Sequence, residues 1–243
     1  MLLSAAFASL SLSFVFALGG VGSAAALIPV VHSLGMSLSM ARPLGLLINT
    51  LSLSGASYVN IKSGKITVRD WLPLIIASLC FAPVGAYAST FISEKILLGA
   101  FSAFLFLSGL TMLVGVRTGG DRDSMGLGSQ ILWGAMAGIV SGLLGVGSGG
   151  VLVPLLGVAR FSAKRIASVT ALVVPVSSFS GFLAYLKMGD VDISIAAACG
   201  LLAVIGGYLG TVVMQRWLSQ QLVRKFLATT MLLLSAKIIF TIL

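Results

Sequence analysis

Long apolar tracts without charged residues run through most of this chain. A helix needs about 20 residues to cross a bilayer, and several tracts reach that length. Hydrophobic residues make up 58% of the chain and charged residues only 9%, whereas soluble domains carry about 25% charged residues. The tracts are continuous, while the strands of a membrane barrel would alternate apolar with polar residues. The sequence therefore predicts an all-α integral membrane protein.

One short phrase occurs twice, 125 residues apart. The two copies are Gly20-Val21-Gly22-Ser23 and Gly145-Val146-Gly147-Ser148, and leucine and proline follow both at equal distances. Other positions match at the same offset, for example Gly85 with Gly210. Two copies of one unit therefore make up the chain, as in many secondary transporters.

The two copies predict an N-terminal repeat over 1–116, a polar linker over 117–128 and a C-terminal repeat over 129–243. The first repeat has a broken helix at 2–34 and three spanning helices at about 38–61, 71–89 and 95–116. The second has a broken helix at 130–158 and three spanning helices at about 163–186, 191–214 and 219–243. The glycines divide each broken helix into two pieces, and most of these pieces are too short to cross a bilayer comfortably.

Basic residues indicate whether each broken helix spans the membrane or forms a hairpin. Single spans would divide Lys and Arg seven against eight between the two sides. Hairpins instead give one side Lys62, Lys65, Arg69, Arg117, Arg122, Arg160, Lys164, Arg165, Arg216, Arg224 and Lys225, and the other Arg42, Lys95, Lys187 and Lys237. Eleven against four fits the positive-inside rule. The prediction is an inverted-topology two-repeat helical bundle in which each repeat begins with a broken/re-entrant helix, with both termini outside.

The glycine phrases also predict a binding site. Adjacent glycines suit a non-helical turn, because glycine tolerates positive φ and lets the backbone approach a ligand. A half-helix that begins there presents free N–H groups and the positive end of its dipole, which favours an anion. The predicted binding residues are Gly20, Val21, Gly22, Ser23, Gly145, Val146, Gly147, Ser148, Gly149, Gly150, Asn49, Thr170 and Ser178. For the last three, hydrogen bonding between helices is an equally open interpretation.

Other functions find less support. Gly145, Gly147 and Gly150 match the dinucleotide pattern GxGxxG, but no strand precedes them and no acidic residue follows about 20 positions on. All six carboxylates are predicted at helix ends or in loops, which argues against a buried cation site. No catalytic constellation occurs, so we expect neither an enzyme nor a cofactor or metal. His32 is interpreted as an interfacial residue, with a proton carrier as the lesser alternative. Arg42 is interpreted as a snorkelling anchor, with a residue that gathers anions at the outer mouth as the alternative.

A longer pattern extends the second phrase, from Gly145-Val146-Gly147-Ser148-Gly149-Gly150 through Val151-Leu152-Val153-Pro154-Leu155-Leu156. It resembles the glycine-rich signature of the sulfite exporter TauE/SafE family of membrane transporters. The following Ala167-Ser168-Val169-Thr170-Ala171-Leu172 is similar to the next stretch in that family. The resemblance covers nearly the whole chain in two copies.

The function predicted from the residues alone is transport of a small anion, with a passive anion channel as the alternative. The resemblance implies that the anion is sulfite or a sulfur-containing organic anion, such as an organosulfonate. It also implies a multi-pass protein of the bacterial inner (cell) membrane. The expected partners are this anion and the lipid bilayer. A homodimer is left open, and no nucleic acid is expected.

Overall fold

The computed structural model describes residues 10–11, 13–14, 24–33, 35–62, 64, 66–114, 124–189, 199–202, 204–206, 209 and 220–242. Within these residues every regular element is a helix. The predicted first break, Gly20, Val21, Gly22 and Ser23, lies outside the described residues, as does most of the predicted span at 191–214.

The main helices of the described part are α1 (Ala24–Ser33), α2 (Leu38–Lys62), α3 (Leu72–Ala88), α4 (Glu94–Val114), α5 (Leu127–Leu144), α6 (Gly149–Val158), α7 (Ala163–Met188) and α8 (Gln220–Ile242). Short 3₁₀ helices precede and follow α3, at Val68–Trp71 and Ser89–Phe91. By length and composition, five segments of the described chain are able to cross a membrane: Leu38–Lys62, Val68–Phe91, Glu94–Thr111, Leu127–Leu144 and Arg165–Met188. The prediction of an all-α membrane protein is confirmed.

The start of α5 requires a correction to the predicted boundaries. The helix begins at Leu127, three residues before the predicted start at 130, so the end of the predicted linker is helical. Gln130 stabilises this extra turn, because its side-chain Nε2 donates to the carbonyl of Met125 at 2.9 Å. The same Nε2 donates to the carbonyl of Asp70 at 3.0 Å, which fixes α5 to the 3₁₀ helix before α3.

Small residues hold α3 and α5 together. A Cβ atom added at Gly134 would lie 2.6 Å from the carbonyl oxygen of Leu74, and one at Gly138 would lie 2.6 Å from that of Ser78. At Gly142 it would overlap the carbonyl of Ala82. The contacts advance along both helices in the same direction, so α3 and α5 are parallel and packed backbone to backbone.

Two helix pairs run antiparallel. Thr50 on α2 lies beside Pro175 on α7, with its Oγ1 3.5 Å from the proline carbonyl, and Ser57 donates to the carbonyl of Ala171. The contact positions therefore rise along α2 as they fall along α7. Ser102 on α4 and Ser235 on α8 each donate to the other's carbonyl, at 3.1 and 2.9 Å. Further along α4, Gly109 packs against Ala228 and Leu232 of α8.

The helices α5 and α6 form a hairpin that begins and ends at the same end of the bundle. The start of α5 is joined to the 3₁₀ helix by the Gln130 bond to Asp70. Beyond the end of α6, the ring of Phe161 lies 5.7 Å from the ring of Trp71, in the same 3₁₀ helix. The connection between α5 and α6, residues 145–148, is therefore enclosed inside the bundle.

The two short helices α1 and α6 belong to different apolar clusters. Leu27 and Val31 of α1 belong to a buried cluster with Ile48 of α2 and Phe101 of α4. Leu152 and Leu156 of α6 belong to a second cluster that includes Trp71. Burial of these side chains holds each short helix in place.

Replacing Gly142 by Ala is expected to destabilise the protein by about 1–3 kcal/mol, because the new methyl group overpacks the α3–α5 contact. The matched control is Gly128→Ala, on the same helix at an exposed position where an added Cβ meets no atom within 4 Å. That change should be neutral or stabilising by up to about 1 kcal/mol. The free energy of unfolding in mixed detergent micelles checks both, and equal values for the two variants would contradict the packing.

Candidate functional site

The interruption between α5 and α6 consists of left-handed glycines around a buried valine. Gly145 ends α5 with φ +75°, and its N–H donates to the carbonyl of Ser141 at 2.9 Å. Gly147 has φ +79°. Residues other than glycine rarely adopt φ values in this range. The sequence therefore breaks the helix here and restarts it at Gly149.

The break is also tightly enclosed by neighbouring helices. A Cβ atom at Gly145 would lie 2.7 Å from Cα of Arg42. At Gly147 it would overlap the side-chain amide of Asn49, and at Gly150 it would overlap the ring of Phe104. Both the backbone conformation and the space around it therefore require glycine at 145 and 147.

Asn49 links the break to the start of α1. Its Oδ1 accepts a hydrogen bond from the N–H of Ala24, the first residue of α1, at 3.3 Å. Its Nδ2 donates to the carbonyl of Val146 at 2.8 Å. Asn49 is fully buried. One amide side chain thus holds Ala24 of α1 beside the break that precedes α6.

This meeting point lies near the middle of the long helices. Asn49 is the twelfth of the 25 residues of α2, and Val174, which also lies beside Gly147, is the twelfth of the 26 residues of α7. Each of these helices is about 37–39 Å long at 1.5 Å per residue. The Gly147 end of the break therefore lies about midway along both α2 and α7.

The N-terminus of α6 presents donors without protein acceptors. Among the described residues, the N–H groups of Ser148, Gly149 and Gly150 donate to no acceptor. The Ser148 side chain does not cap the helix, since its Oγ lies 2.7 Å from Oγ of Ser177. Ser148 and Gly149 are both buried. Buried N–H groups at the positive end of a helix dipole form an environment that favours an anion.

Three polar residues on the helices that follow the breaks were also predicted to bind the anion, namely Asn49, Thr170 and Ser178. They fall into two groups. Asn49 and Ser178 both lie against Gly147, where an added Cβ would approach Oγ of Ser178 to 3.2 Å. The Ser178 hydroxyl is fully buried and has no hydrogen-bond partner in the described part of the chain. Thr170 does not join them, because its hydroxyl donates to the carbonyl of Ile166 at 2.8 Å within its own helix.

The interpretation of Arg42 as a snorkelling anchor is wrong. Only 6% of its surface is exposed. Its guanidinium lies 5.4 Å from the ring of Tyr185, instead of reaching past the end of its helix. Its position near a helix end concealed this burial, because the α5–α6 hairpin that covers it is distant in sequence. His32 is half-buried at the end of α1, and its Nδ1 lies 3.0 Å from the carbonyl of Met36.

Spanning helices combined with a half-helix that begins inside the bundle are a combination found in many secondary transporters. Comparison with known proteins gives the family of this chain. The family profile described as "Sulfite exporter TauE/SafE" matches residues 5–238, so the chain belongs to this family. A protein of Methanocaldococcus jannaschii named as a probable membrane transporter protein is 29% identical over 170 residues. The match covers 64% of this chain and 63% of that relative. No solved structure matches the chain.

Replacing Asn49 by Leu is expected to destabilise the protein by about 1–3 kcal/mol, because the N–H of Ala24 and the carbonyl of Val146 both lose a partner in a buried place. Unfolding in mixed detergent micelles measures the difference. Ser54→Ala is the control on the same helix, since Ser54 is exposed and donates only to the carbonyl of Thr50. Equal stability of the two variants would show that Asn49 does not join α1 to the break.

Proposed function

We propose that this protein transports a small anion, sulfite or an organosulfonate, across the bacterial inner membrane. The anion binds at the break before α6 and at the N-terminus of α1, where Asn49 joins the two. One observation carries the proposal: Asn49 joins Ala24 of α1 to the break before α6, and the first N–H groups of α6 have no acceptor among the described residues.

The charge distribution supports an anion as the ligand. Asp70 and Glu94 are the carboxylates of the described residues, and both lie at the starts of helices. Each helix terminus contributes about 0.3–2 kcal/mol to anion binding, depending on its burial. Two termini at the upper limit give about 4 kcal/mol, which corresponds to a dissociation constant of about 1 mM. Binding of this strength allows the anion to leave again, as transport requires.

The packing of equivalent helices supports an inverted repeat as part of the proposal. At the offset of 125 residues, α4 is the counterpart of α8, and one further residue of shift makes α2 the counterpart of α7. Each of these pairs is antiparallel. Opposed copies give two half-helices that approach the midplane from opposite sides, which suits alternating access around a fixed site.

Gly147→Leu tests the site. Proteoliposomes that contain the wild-type protein should take up labelled sulfite. The flux through the leucine variant should be at least about tenfold lower, because the leucine side chain displaces Asn49 and the residue cannot adopt the required φ without strain. Gly99→Leu is the matched control, since Gly99 is exposed on α4 with no atom within 4 Å of an added Cβ. Undiminished flux in the Gly147 variant would remove the break from the mechanism.

Ser178→Ala tests the same site without disturbing the backbone. The hydroxyl has no partner to lose, so stability should not fall, while the KM for sulfite should rise about threefold to tenfold if the hydroxyl contacts the anion. Ser180→Ala on the same helix removes a hydroxyl that donates to the carbonyl of Leu79 and should leave KM unchanged.

Stimulation of flux by anion on the opposite side distinguishes a transporter from a passive channel, which would instead give unitary currents.

A further inference from the structure

The end of α6 is closed by an arginine in a conformation that usually belongs to glycine. The N–H of Arg160 donates to the carbonyl of Gly157 at 2.9 Å, and the N–H of Phe161 donates to that of Leu156 at 3.1 Å. These two bonds form a Schellman motif, in which the residue just past the helix is left-handed and usually glycine. Arg160 has φ +64°, and among the described residues it alone combines a side chain with a positive φ.

Two other helices of this chain have glycine at their left-handed ends. Gly145 ends α5 with φ +75°, and Gly189 ends α7 with φ +81°. Glycine adopts this conformation freely, whereas an L residue with a side chain is disfavoured there. Arg160 therefore costs stability that glycine at the same place would not, and residues held in such a conformation point to a function.

Contacts within the protein do not account for this arginine. Its side chain is exposed, and in the part of the chain that the structure describes its guanidinium has no hydrogen-bond or ionic partner. The dipole of α6 favours a positive charge at its C-terminus, but this effect does not require the left-handed position. The donors of the guanidinium therefore remain for a partner outside the chain.

The end of α6 lies in a basic region of the bundle. Phe161 packs on Trp71, with the ring centroids 5.7 Å apart, and Ser57 near the end of α2 donates to the carbonyl of Ala171 on α7. The 3₁₀ helix before α3, the end of α2 and the start of α7 therefore surround the end of α6. Described charged residues in these segments include three that are basic and one that is acidic: Lys62, Arg69 and Arg165, against Asp70. The positive charge favours an anionic partner.

Exposed apolar and aromatic side chains lie beside the basic ones at this end. Val158, the last residue of α6, is 81% exposed and lies two positions before Arg160. Tyr58 is 64% exposed, and the Nζ of Lys62 lies 5.7 Å from its ring centroid. Apolar or aromatic groups with a nearby basic head group are typical of the boundary between the hydrocarbon and the headgroups of a membrane. The end of α6 therefore has the surface of a membrane interface.

We propose that the guanidinium of Arg160 binds the phosphate group of an anionic phospholipid, with Val158 in the adjoining apolar part of the bilayer. A planar guanidinium donates two parallel hydrogen bonds to a phosphate, and these bonds compensate for the left-handed conformation. Because α6 begins at the break and ends at Arg160, the lipid fixes the outer end of the hairpin that carries the break. This interaction involves no transported anion, so it does not depend on the proposed function.

Thermal unfolding of the full chain in maltoside micelles tests this anchor, with phosphatidylglycerol or phosphatidylcholine added at constant ionic strength. Phosphatidylglycerol should raise the wild-type melting temperature above the value in phosphatidylcholine. Arg160→Gly should melt at a higher temperature than the wild type in maltoside alone, because glycine removes the strain. It should also lose at least about half of the rise that phosphatidylglycerol gives. A lower melting temperature in maltoside alone, or an undiminished rise, would overturn the proposal.

Arg160→Lys and Arg160→Gln separate the charge from the backbone, since both keep a side chain in the left-handed conformation. Lysine should retain most of the rise, whereas glutamine should lose at least about half of it. Lys95→Gln is the matched control, an exposed basic residue in the first turn of α4, and should keep the full rise. If glutamine at 160 lowers the melting temperature equally with both lipids, Arg160 only stabilises the helix end. Equal losses of the rise in Lys95→Gln and Arg160→Gln would show a general effect of charge. Either result would overturn the anchor.

Two further measurements distinguish other partners of Arg160. Sodium phosphate without lipid should not raise the melting temperature of the wild type; an equal rise would assign the guanidinium to free phosphate. Size-exclusion chromatography in maltoside should show the same oligomeric state for the wild type and Arg160→Gln. Self-association that needs Arg160 and does not respond to phosphatidylglycerol would assign this surface to a second copy of the chain and overturn the lipid.

Discussion

An interrupted helix inside the bundle leaves backbone N–H and carbonyl groups without their helical partners. Apolar surroundings offer such groups no water, so they need partners from the protein or from a ligand. Asn49 meets part of this need, because it accepts from Ala24 N–H and donates to the Val146 carbonyl. The N–H groups at the start of α6 donate to no described acceptor. The break is thus fixed in place and still has donors for an anion.

The same seam between α2 and α7 arranges the polar groups by depth. Asn49 and Ser178 lie at mid-depth, whereas Arg42 and Tyr185 lie two turns nearer the end where α2 begins. At this separation, and with an effective dielectric constant of about 20, a unit charge changes the binding of an anion in the other layer by roughly tenfold.

The sequence predicts the helices and the glycine break well because both depend on local properties. Continuous apolar tracts decide the helices, and adjacent glycines mark the break at 145–148. The sequence predicts poorly those features that depend on contacts between distant segments of the chain. Arg42 is buried by a hairpin about 100 residues further along the chain, and the tertiary bonds of Gln130 extend α5 into the expected linker. Thr170 resembled Ser178 as a polar residue in a span, but its hydroxyl is bonded within α7.

The proposed site places a small oxyanion beside Asn49, between α1 and the break that precedes α6. Selenite has the shape and charge of sulfite and contains an anomalous scatterer, so a crystal structure of the protein with selenite locates the anion directly. We expect an anomalous peak within hydrogen-bond distance of the N–H groups of Gly149 or Gly150 and of the Ser178 hydroxyl. A well-occupied selenite elsewhere, with no peak at the break, would contradict it.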